Sequence, residues 1–544
     1  MTAVLPTWHA GAVRRILVLG LVVAAACWLV GCMNLPNHRN LADLCVVDRP
    51  LGLAPEKLAQ DMPAAEVVDI DYEAVAGGAR PCAEHWQIRV DRPQPFSMNF
   101  VEIDEQGLLT NRAQADAAIR TASAPEDNGS LVVVFVHGWH HNAASKDANV
   151  KAFYKALARV SQWNPSRRVK GIYIGWRGES LALPGLNYLT FWERKATSDE
   201  VGRGGLLEFL LKLERGVKPR AGDGATAAAA TAAANRNRLV VVGHSFGASV
   251  TFNALAHVYL ERMLDGLYAP SGPAGGDGPR FRGYGDLVVL LNPAIEAMRF
   301  MPFQSALEYH ARPDATPKLD FSKEFRPYLV VLSSESDWAT RWVFPAARIF
   351  TTMFEAHSNV TAELSPVLDA DVAASAKKVP AKRYSEWNMD RDALGHFEHF
   401  HTHHPLTLDP SAATAAAAGV GGMSPNDPCQ PPERLTLRAL LNATGTGEYP
   451  NSGVFKQSGV RLRRIPNDLL VGSPYLVARA GADLIDGHND IGRPNLVCWI
   501  NQLLDTDEIF ERQPIVATHP TPAAPVPATA PADPQQVAAA RVAP

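Results

Sequence analysis

Residues 239–247, Leu-Val-Val-Val-Gly-His-Ser-Phe-Gly, decide the fold of this 544-residue chain. The apolar run predicts a buried strand, and the two glycines flank Ser245 at two-residue spacing, where a Cβ would clash in a sharp turn. Apolar residues then recur at mostly three- and four-residue spacing from Ala248 to Val258, which is typical of a helix packed on a core. The stretch therefore predicts a strand, a strained turn that exposes one serine hydroxyl, and a helix.

A second apolar run, Leu-Val-Val-Val-Phe-Val at 131–136, predicts another buried strand, and His137-Gly138-Trp139 follows it directly. Together with the serine turn, this pattern resembles the α/β-hydrolase superfamily. In that superfamily a His-Gly-x turn and the residue after the nucleophilic serine each contribute one backbone N–H to the oxyanion hole. The resemblance implies that the amides of Trp139 and Phe246 are these donors here.

The rest of the chain predicts the α/β class, with a mostly parallel sheet flanked by helices. Three further apolar runs lie between turn signals, at 171–176, 286–292 and 328–333. A helical pattern covers 146–160, and alternating buried strands and helices imply a sheet covered on both faces. Two partly alternating runs upstream, 86–90 and 100–104, predict the antiparallel strands with which the sheet of this superfamily commonly begins.

The resemblance also implies a catalytic triad in the chain order nucleophile, acid, histidine. Ser245 is the predicted nucleophile. The superfamily places its carboxylate just past a strand such as 328–333, and Asp337 is our preferred residue for this position. Glu335 stays open as an alternative because it lies two residues away and is chemically equivalent.

The triad histidine must be chosen from 17 in the chain. His488 follows an apolar run at 474–479 and precedes a candidate helix at 494–504, which matches the last strand, loop and helix of the superfamily. His396 opens a cluster of five histidines within nine residues, but residues 381–395 before it are charged and lack an apolar run. We therefore predict His488 as the general base and keep His396 as the alternative.

The predicted chemistry is acyl transfer through an acyl-enzyme, which needs no metal and no cofactor. The histidine cluster at 396–404 also contains Glu398 and could offer imidazole ligands to a metal. Its spacing does not match H-E-x-x-H, and such runs are often exposed loops, so we predict no metal site there.

The N-terminus indicates a location in the cell. A pair of arginines precedes an apolar run at 16–30, which has the length of a signal peptide and is short for a membrane span. The run ends in Leu-Val-Gly-Cys at 29–32. This resembles a bacterial lipobox, which implies that Cys32 is lipidated and becomes the mature N-terminus. The expected location is the bacterial cell envelope, at the periplasmic face of the outer membrane, with an uncleaved short anchor as the alternative.

Charge and cysteine content limit the classes of binding partner and the cellular compartment that the sequence predicts. The formal net charge is −4, and it becomes −6 without residues 1–31, so the mildly acidic surface argues against nucleic acid as a partner. Without residues 1–31 and the lipidated Cys32, the cysteines that remain are Cys45, Cys82, Cys429 and Cys498. They are an even number in an oxidising compartment. Of the three possible pairings, Cys45–Cys82 with Cys429–Cys498 is the most local.

These observations predict a membrane-anchored serine hydrolase that cleaves lipid-like or other apolar carboxylic esters. A thioesterase or amidase on the same triad is the alternative within enzymes, and a catalytically silent envelope lipoprotein is the alternative outside them. The predicted divisions are a signal peptide at 1–31, an N-terminal segment at 32–97, a hydrolase core at 98–344, a large insertion at 345–470, the last strand, histidine loop and closing helix at 471–510, and a disordered Pro/Ala-rich tail at 511–544.

Overall fold

A computed structural model of the chain describes most of residues 96–504 and shorter pieces before them. The described residues are 38–39, 45–47, 70–71, 85–86, 96–144, 147–178, 191–219, 236–268, 283–311, 315, 327–353, 355–357, 359–361, 383–408, 429, 460–461 and 474–504, with isolated residues between 15 and 21. Cys32, the predicted lipidation site, and the predicted tail at 511–544 lie outside them. Within the described part of the chain, none of the helices combines the length and apolar character needed to span a bilayer.

One eight-stranded sheet organises the molecule. Its strands are β1 Cys45–Val47, β2 Phe96–Ile103, β3 Ser130–Val136, β4 Arg168–Trp176, β5 Arg238–His244, β6 Leu287–Leu291, β7 Leu329–Ser334 and β8 Tyr475–Ala480. The order across the sheet is β1-β2-β4-β3-β5-β6-β7-β8, and every neighbouring pair is parallel except β1 with β2. The α/β class and the mostly parallel sheet are thus confirmed.

The strand predicted at 100–104 is present, and it is antiparallel to β1 but parallel to its other neighbour, β4. These residues fall mostly in β2, which is fully buried and runs parallel to β4. The partly alternating pattern suggested that Glu102 faces solvent, but this residue is buried. Its carboxylate accepts the backbone N–H groups of His38 at 2.9 Å and Arg39 at 2.8 Å. Of the other run, 86–90, Trp86 lies in a separate two-stranded sheet, and the rest is outside the described residues.

Helices cover both faces of the sheet. They are α1 Arg112–Ser123, α2 Ala148–Trp163, α3 Phe191–Arg203, α4 Gly205–Val217, α5 Phe246–Tyr268, α6 Ala297–Ala311, α7 Phe344–Thr352, α8 Glu386–Arg391 and α9 Pro494–Leu504. Successive residues of a strand point into the cores on opposite faces of the sheet, as β-strand geometry requires. Val240 packs with α2 and α9, whereas Val241 packs with α5. The helices predicted at 146–160 and 494–504 are both present.

Part of the segment predicted as an insertion belongs to the core. Leu394 and Phe397 are buried with α5, and Leu406 is buried in the core on the opposite face. The backbone N–H of Leu406 donates to the backbone carbonyl of Arg479 in β8 at 2.8 Å. Since β8 is the last strand of the sheet, this contact satisfies part of an edge that would otherwise be left without backbone partners.

The structure contains one of the two predicted disulfides. Cys429 and Cys498 are bonded, with their Cα atoms 5.3 Å apart. The bond ties the closing helix α9 to the segment that precedes β8. Cys82 lies outside the described residues, so the Cys45–Cys82 pairing stays a prediction.

Candidate active site

Ser245 lies at the sharp turn between β5 and α5. Its φ of 56° is in the left-handed region, where a non-glycine residue is strained. Neither flanking glycine could carry a side chain, because a Cβ on Gly243 would lie 2.7 Å from the Ala248 Cα and one on Gly247 would lie 2.2 Å from the Val136 carbonyl oxygen. The turn predicted from the glycine spacing is therefore present, and the backbone N–H of Ser245 is held by the Leu291 carbonyl at 3.0 Å.

His488 and Asp337 meet Ser245 at the carboxyl edge of the sheet. The Nε2 atom of His488 lies 2.8 Å from the Ser245 Oγ, and its Nδ1 atom lies 3.0 and 2.9 Å from the two carboxylate oxygens of Asp337. The three residues follow the ends of β5, β7 and β8, which a parallel sheet brings to one edge. The structure thus brings together all three residues predicted for the triad.

The carboxylate of Asp337 is fully buried and held by several donors. It accepts the backbone N–H of Ala339 at 2.9 Å and both the N–H and the hydroxyl of Thr340. Burial alone would raise the pKa of Asp337, but the hydrogen bond and charge of His488, with the donors of Thr340, outweigh it and hold the pKa below its ordinary value. Asp337, and not the alternative Glu335, is the carboxylate that meets His488.

His396, the alternative base, lies behind the acid. Its Nε2 atom is 2.9 Å from the Thr340 Oγ1, and that hydroxyl donates to Asp337. Because the hydroxyl has a single proton, His396 must donate its own Nε2–H to Thr340. Burial lowers the pKa of His396 to about 4, so its ring is neutral at neutral pH. His396 therefore supports the acid through Thr340, while His488 is the histidine at Ser245.

The His137-Gly138 turn lies against the serine turn. A Cβ on Gly138 would come within 2.9 Å of the Ser245 Cβ, so only glycine permits this approach. The ring of His137 is stacked on Trp176 and accepts its backbone N–H at 3.1 Å, which leaves Nδ1–H to donate to the Gly138 carbonyl at 2.8 Å. Burial lowers the pKa of His137 to about 4, and this neutral ring fixes the turn.

Trp139, in the loop after β3, and Phe246, the first residue of α5, are the predicted oxyanion donors, and they meet here. Their rings contact each other, with centroids 5.9 Å apart. Phe191, at the start of α3, packs on both rings, with centroids 5.7 Å from Trp139 and 5.4 Å from Phe246. Packed aromatic side chains therefore join the His137-Gly138 turn to the turn that carries Ser245.

Two residues that the sequence analysis missed hold the backbone of the histidine loop. The Nδ2 of Asn292 donates to the carbonyls of Gly487 at 3.1 Å and His488 at 2.7 Å, and its Oδ1 accepts the N–H of Ser334 at 2.7 Å. The Nε2 of His244 is 2.9 Å from the same His488 carbonyl. Burial lowers the pKa of His244 to about 3, so it donates as a neutral ring. The sequence signal for both residues was their position, because each lies at the carboxyl end of a central strand.

The chain matches no protein-family model, no curated protein and no solved structure.

The histidine cluster distributes its side chains among separate partners. His396 contacts Thr340, the Nε2 of His401 is 3.0 Å from the Gly395 carbonyl, and the Nδ1 of His403 is 2.8 Å from the Thr402 hydroxyl. Across the described ranges, the only three potential metal ligands with donor atoms within 4.8 Å of one another lie elsewhere, at Glu355, His357 and Asp390. Asp390 already pairs with Arg348 at 3.0 Å.

The arrangement around Ser245 can activate a hydroxyl for nucleophilic attack. With the His488 Nδ1–H directed at Asp337, the Nε2 lone pair faces the serine and can accept its proton. The buried carboxylate then lies beside the imidazolium that forms, and this stabilises it. Asn292 and His244 hold the loop so that the ring stays between the serine and the acid.

Proposed function

We propose that the protein is a serine hydrolase of the α/β-hydrolase type that cleaves carboxylic esters through an acyl-enzyme. Ser245 attacks the ester carbonyl carbon while its proton passes to the Nε2 of His488. The amides of Trp139 and Phe246 bind the oxyanion, and the alcohol leaves with the proton of His488. Water then attacks the acyl-enzyme with His488 again as the base, which releases the acid and regenerates Ser245.

The observation that carries this proposal is the unbroken hydrogen-bonded line from the Ser245 Oγ through His488 to Asp337. The serine is strained and its hydroxyl is 2.8 Å from the base, which is the distance that proton transfer requires.

A fluorophosphonate probe tests the nucleophile directly. We expect it to label the wild type at Ser245 and to leave Ser245→Ala unlabelled, because the probe reacts with a serine activated by its base. Ser249→Ala is the matched control, since Ser249 is a buried serine one turn later in α5. Undiminished labelling of Ser245→Ala, or none of the wild type, would refute the proposal. A panel of p-nitrophenyl esters of rising chain length then defines the acyl group.

The proposed location is the bacterial envelope, with a lipid attached to Cys32. This rests on the apolar run at 16–30 and the Leu-Val-Gly-Cys sequence that ends at Cys32. We expect mass spectrometry of protein from a bacterial host to find an acylated mature chain that begins at Cys32, and Cys32→Ser to partition less into detergent. An intact Met1 terminus in the wild type would contradict this proposal.

A further inference from the structure

The N-terminal part of the chain contacts the sheet beside the candidate active site. Two described residues, His38 and Arg39, make this contact, and we call them the N-terminal clamp. Their backbone N–H groups donate to the two carboxylate oxygens of Glu102, at 2.9 and 2.8 Å. Glu102 is the next-to-last residue of β2, so the contact lies at the carboxyl edge of the sheet, where the candidate triad also lies.

The carboxylate of Glu102 is buried and depends on the N-terminal clamp for its donors. Glu102 is 7% exposed, and among the described residues the only hydrogen-bond donors to its carboxylate are the two N–H groups of the clamp. A buried carboxylate is stable only where donors replace the water that it has lost. This acid therefore holds the N-terminal clamp in place, and the proposed mechanism makes no other use of it.

The side chain of Arg39 reaches the loop that follows β3. Its Nε–H donates to the carbonyl of Ala143 at 2.7 Å, and its guanidinium carbon lies 4.0 Å from the centre of the Phe100 ring. Ala143 is buried, and a Cβ on Gly175 of β4 would come within 2.7 Å of the Ala143 Cβ. Ala143 therefore contacts both Arg39 and the carboxyl end of β4.

The loop held in this way carries Trp139, a proposed oxyanion donor, four positions before Ala143. Between them, His140 has a φ of 63°, in the left-handed region, and its N–H donates to the Gly178 carbonyl at 3.2 Å. A strained backbone of this kind persists only where surrounding contacts determine it. Arg39 supplies one of these contacts from 104 positions earlier in the chain.

We propose that the N-terminal clamp is a positioning element of the active site, and that it holds the loop after β3 so that the amide of Trp139 stays directed at the oxyanion. A donor of this kind acts only when it is aimed at the place that the oxygen occupies in the transition state. A small displacement of the loop therefore lowers the rate without weakening the binding of substrate. The inference rests on the proposed function, where the donor is assigned, and it gives the segment that follows Cys32 a role in the chemistry.

Hydrogen–deuterium exchange of the full chain tests the contact without any assumption about activity. Arg39→Met keeps most of the apolar stem and removes the donor to Ala143. We expect the backbone amides of residues 137–144 to exchange about tenfold faster in this variant, because one contact that closes the loop is lost. Arg39→Lys keeps the charge and can donate to the same carbonyl, so it should restore most of the protection.

Lys170→Met is the matched control. Lys170 lies near the amino end of β4 and donates to the carbonyl of Ala124 at 2.7 Å, so its loss removes a similar contact at the opposite edge of the sheet. Exchange at residues 137–144 should stay as in the wild type. Exchange in the strands of the sheet reports whether each variant is folded.

A trifluoromethyl ketone connects the contact with catalysis. The Ser245 Oγ forms a bond to its carbonyl carbon, the serine proton passes to His488, and the carbonyl oxygen becomes an oxyanion as in the transition state. We expect Arg39→Met to lower kcat on a p-nitrophenyl ester about tenfold, to weaken binding of the ketone by a similar factor, and to change KM little. Arg39→Lys should recover most of both losses, and Lys170→Met should show neither.

Unchanged exchange at residues 137–144 in Arg39→Met would overturn the proposal. Faster exchange with kcat and ketone binding both retained would also overturn it, and so would a fall in kcat with the affinity for the ketone retained, because the oxyanion donor would then still be in place. A wild type that neither hydrolyses the esters nor binds the ketone would refute the proposed function and the catalytic role of the clamp together. The exchange experiment would still show whether the clamp holds the loop.

Discussion

His488 and His396 approach the same carboxylate from two different loops. His488 contacts Asp337 directly and faces Ser245, whereas His396 reaches the acid only through the hydroxyl of Thr340. The first follows the last strand of the sheet, and the second lies in a segment packed across β7 and β8. Position in the topology therefore distinguishes the two histidines better than local sequence does.

The difference also separates two chemical roles. A general base works best when its pKa lies near the working pH, and burial has lowered the pKa of His396 to about 4. Such a ring is a fixed hydrogen-bond donor at neutral pH. It can keep Thr340 directed at Asp337 but is a poor proton acceptor, which supports the proposal that His488 is the general base.

The largest expected effect is the loss of the base. His488→Ala should lower kcat about 10³-fold or more, because the serine then loses its proton acceptor. His396→Ala should lower kcat only about tenfold, because Asp337 would be held less firmly. Steady-state kinetics on a p-nitrophenyl ester, with circular dichroism as a check on folding, measure both. If the two losses were equal, the distinction between the two loops would be wrong.

A smaller loss is expected when the histidine loop is released but the base is kept. Asn292→Gly removes both bonds to the loop and tolerates the positive φ of 45° at this position. We expect kcat to fall about 10- to 100-fold with little change in KM, since the base is displaced while the substrate site is retained. The kcat of Asn292→Asp should fall by a similar factor, because a carboxylate would face the His488 carbonyl. An unchanged kcat in both variants would show that the loop holds its position without Asn292.

The smallest effect concerns stability and pH. His244 has a pKa of about 3 in the folded protein against 6.5 ordinarily, so between these values the unfolded chain binds a proton that the folded one does not. The free energy of unfolding should therefore fall as the pH drops below about 6.5, by about 1.4 kcal/mol per pH unit for this group. His244→Gln, whose amide can still donate to His488, should remove that contribution.

Guanidinium denaturation at pH 7.5 and pH 5 measures this difference. The matched control is His257→Gln, because His257 is exposed on α5 and its replacement should leave the pH dependence as in the wild type. A pH dependence in His244→Gln as steep as that of the wild type would mean that His244 is not held neutral by burial.

The fold class and the three central residues were predictable because strand, turn and helix signals are local. Ser245 and His488 both stand just after apolar runs, and their neighbours determine the turn. The direction of β2 was not predictable, since it depends on pairing with β4, which lies about seventy residues later in the chain. Asn292 was missed because it acts on backbone carbonyls of another loop, and its sequence signal was limited to its position after β6.

The disulfide between Cys429 and Cys498 gives the two halves of the site different covalent topologies. The bond closes a ring across a sequence separation of 69, and both β8 and His488 lie inside that ring. Ser245 and Asp337 lie outside it, on the open part of the chain. Closing a ring of this size removes about 4 kcal/mol of conformational entropy from the unfolded chain in the simplest model. The proposed general base is thus carried on a covalently closed loop, whereas the proposed nucleophile is not.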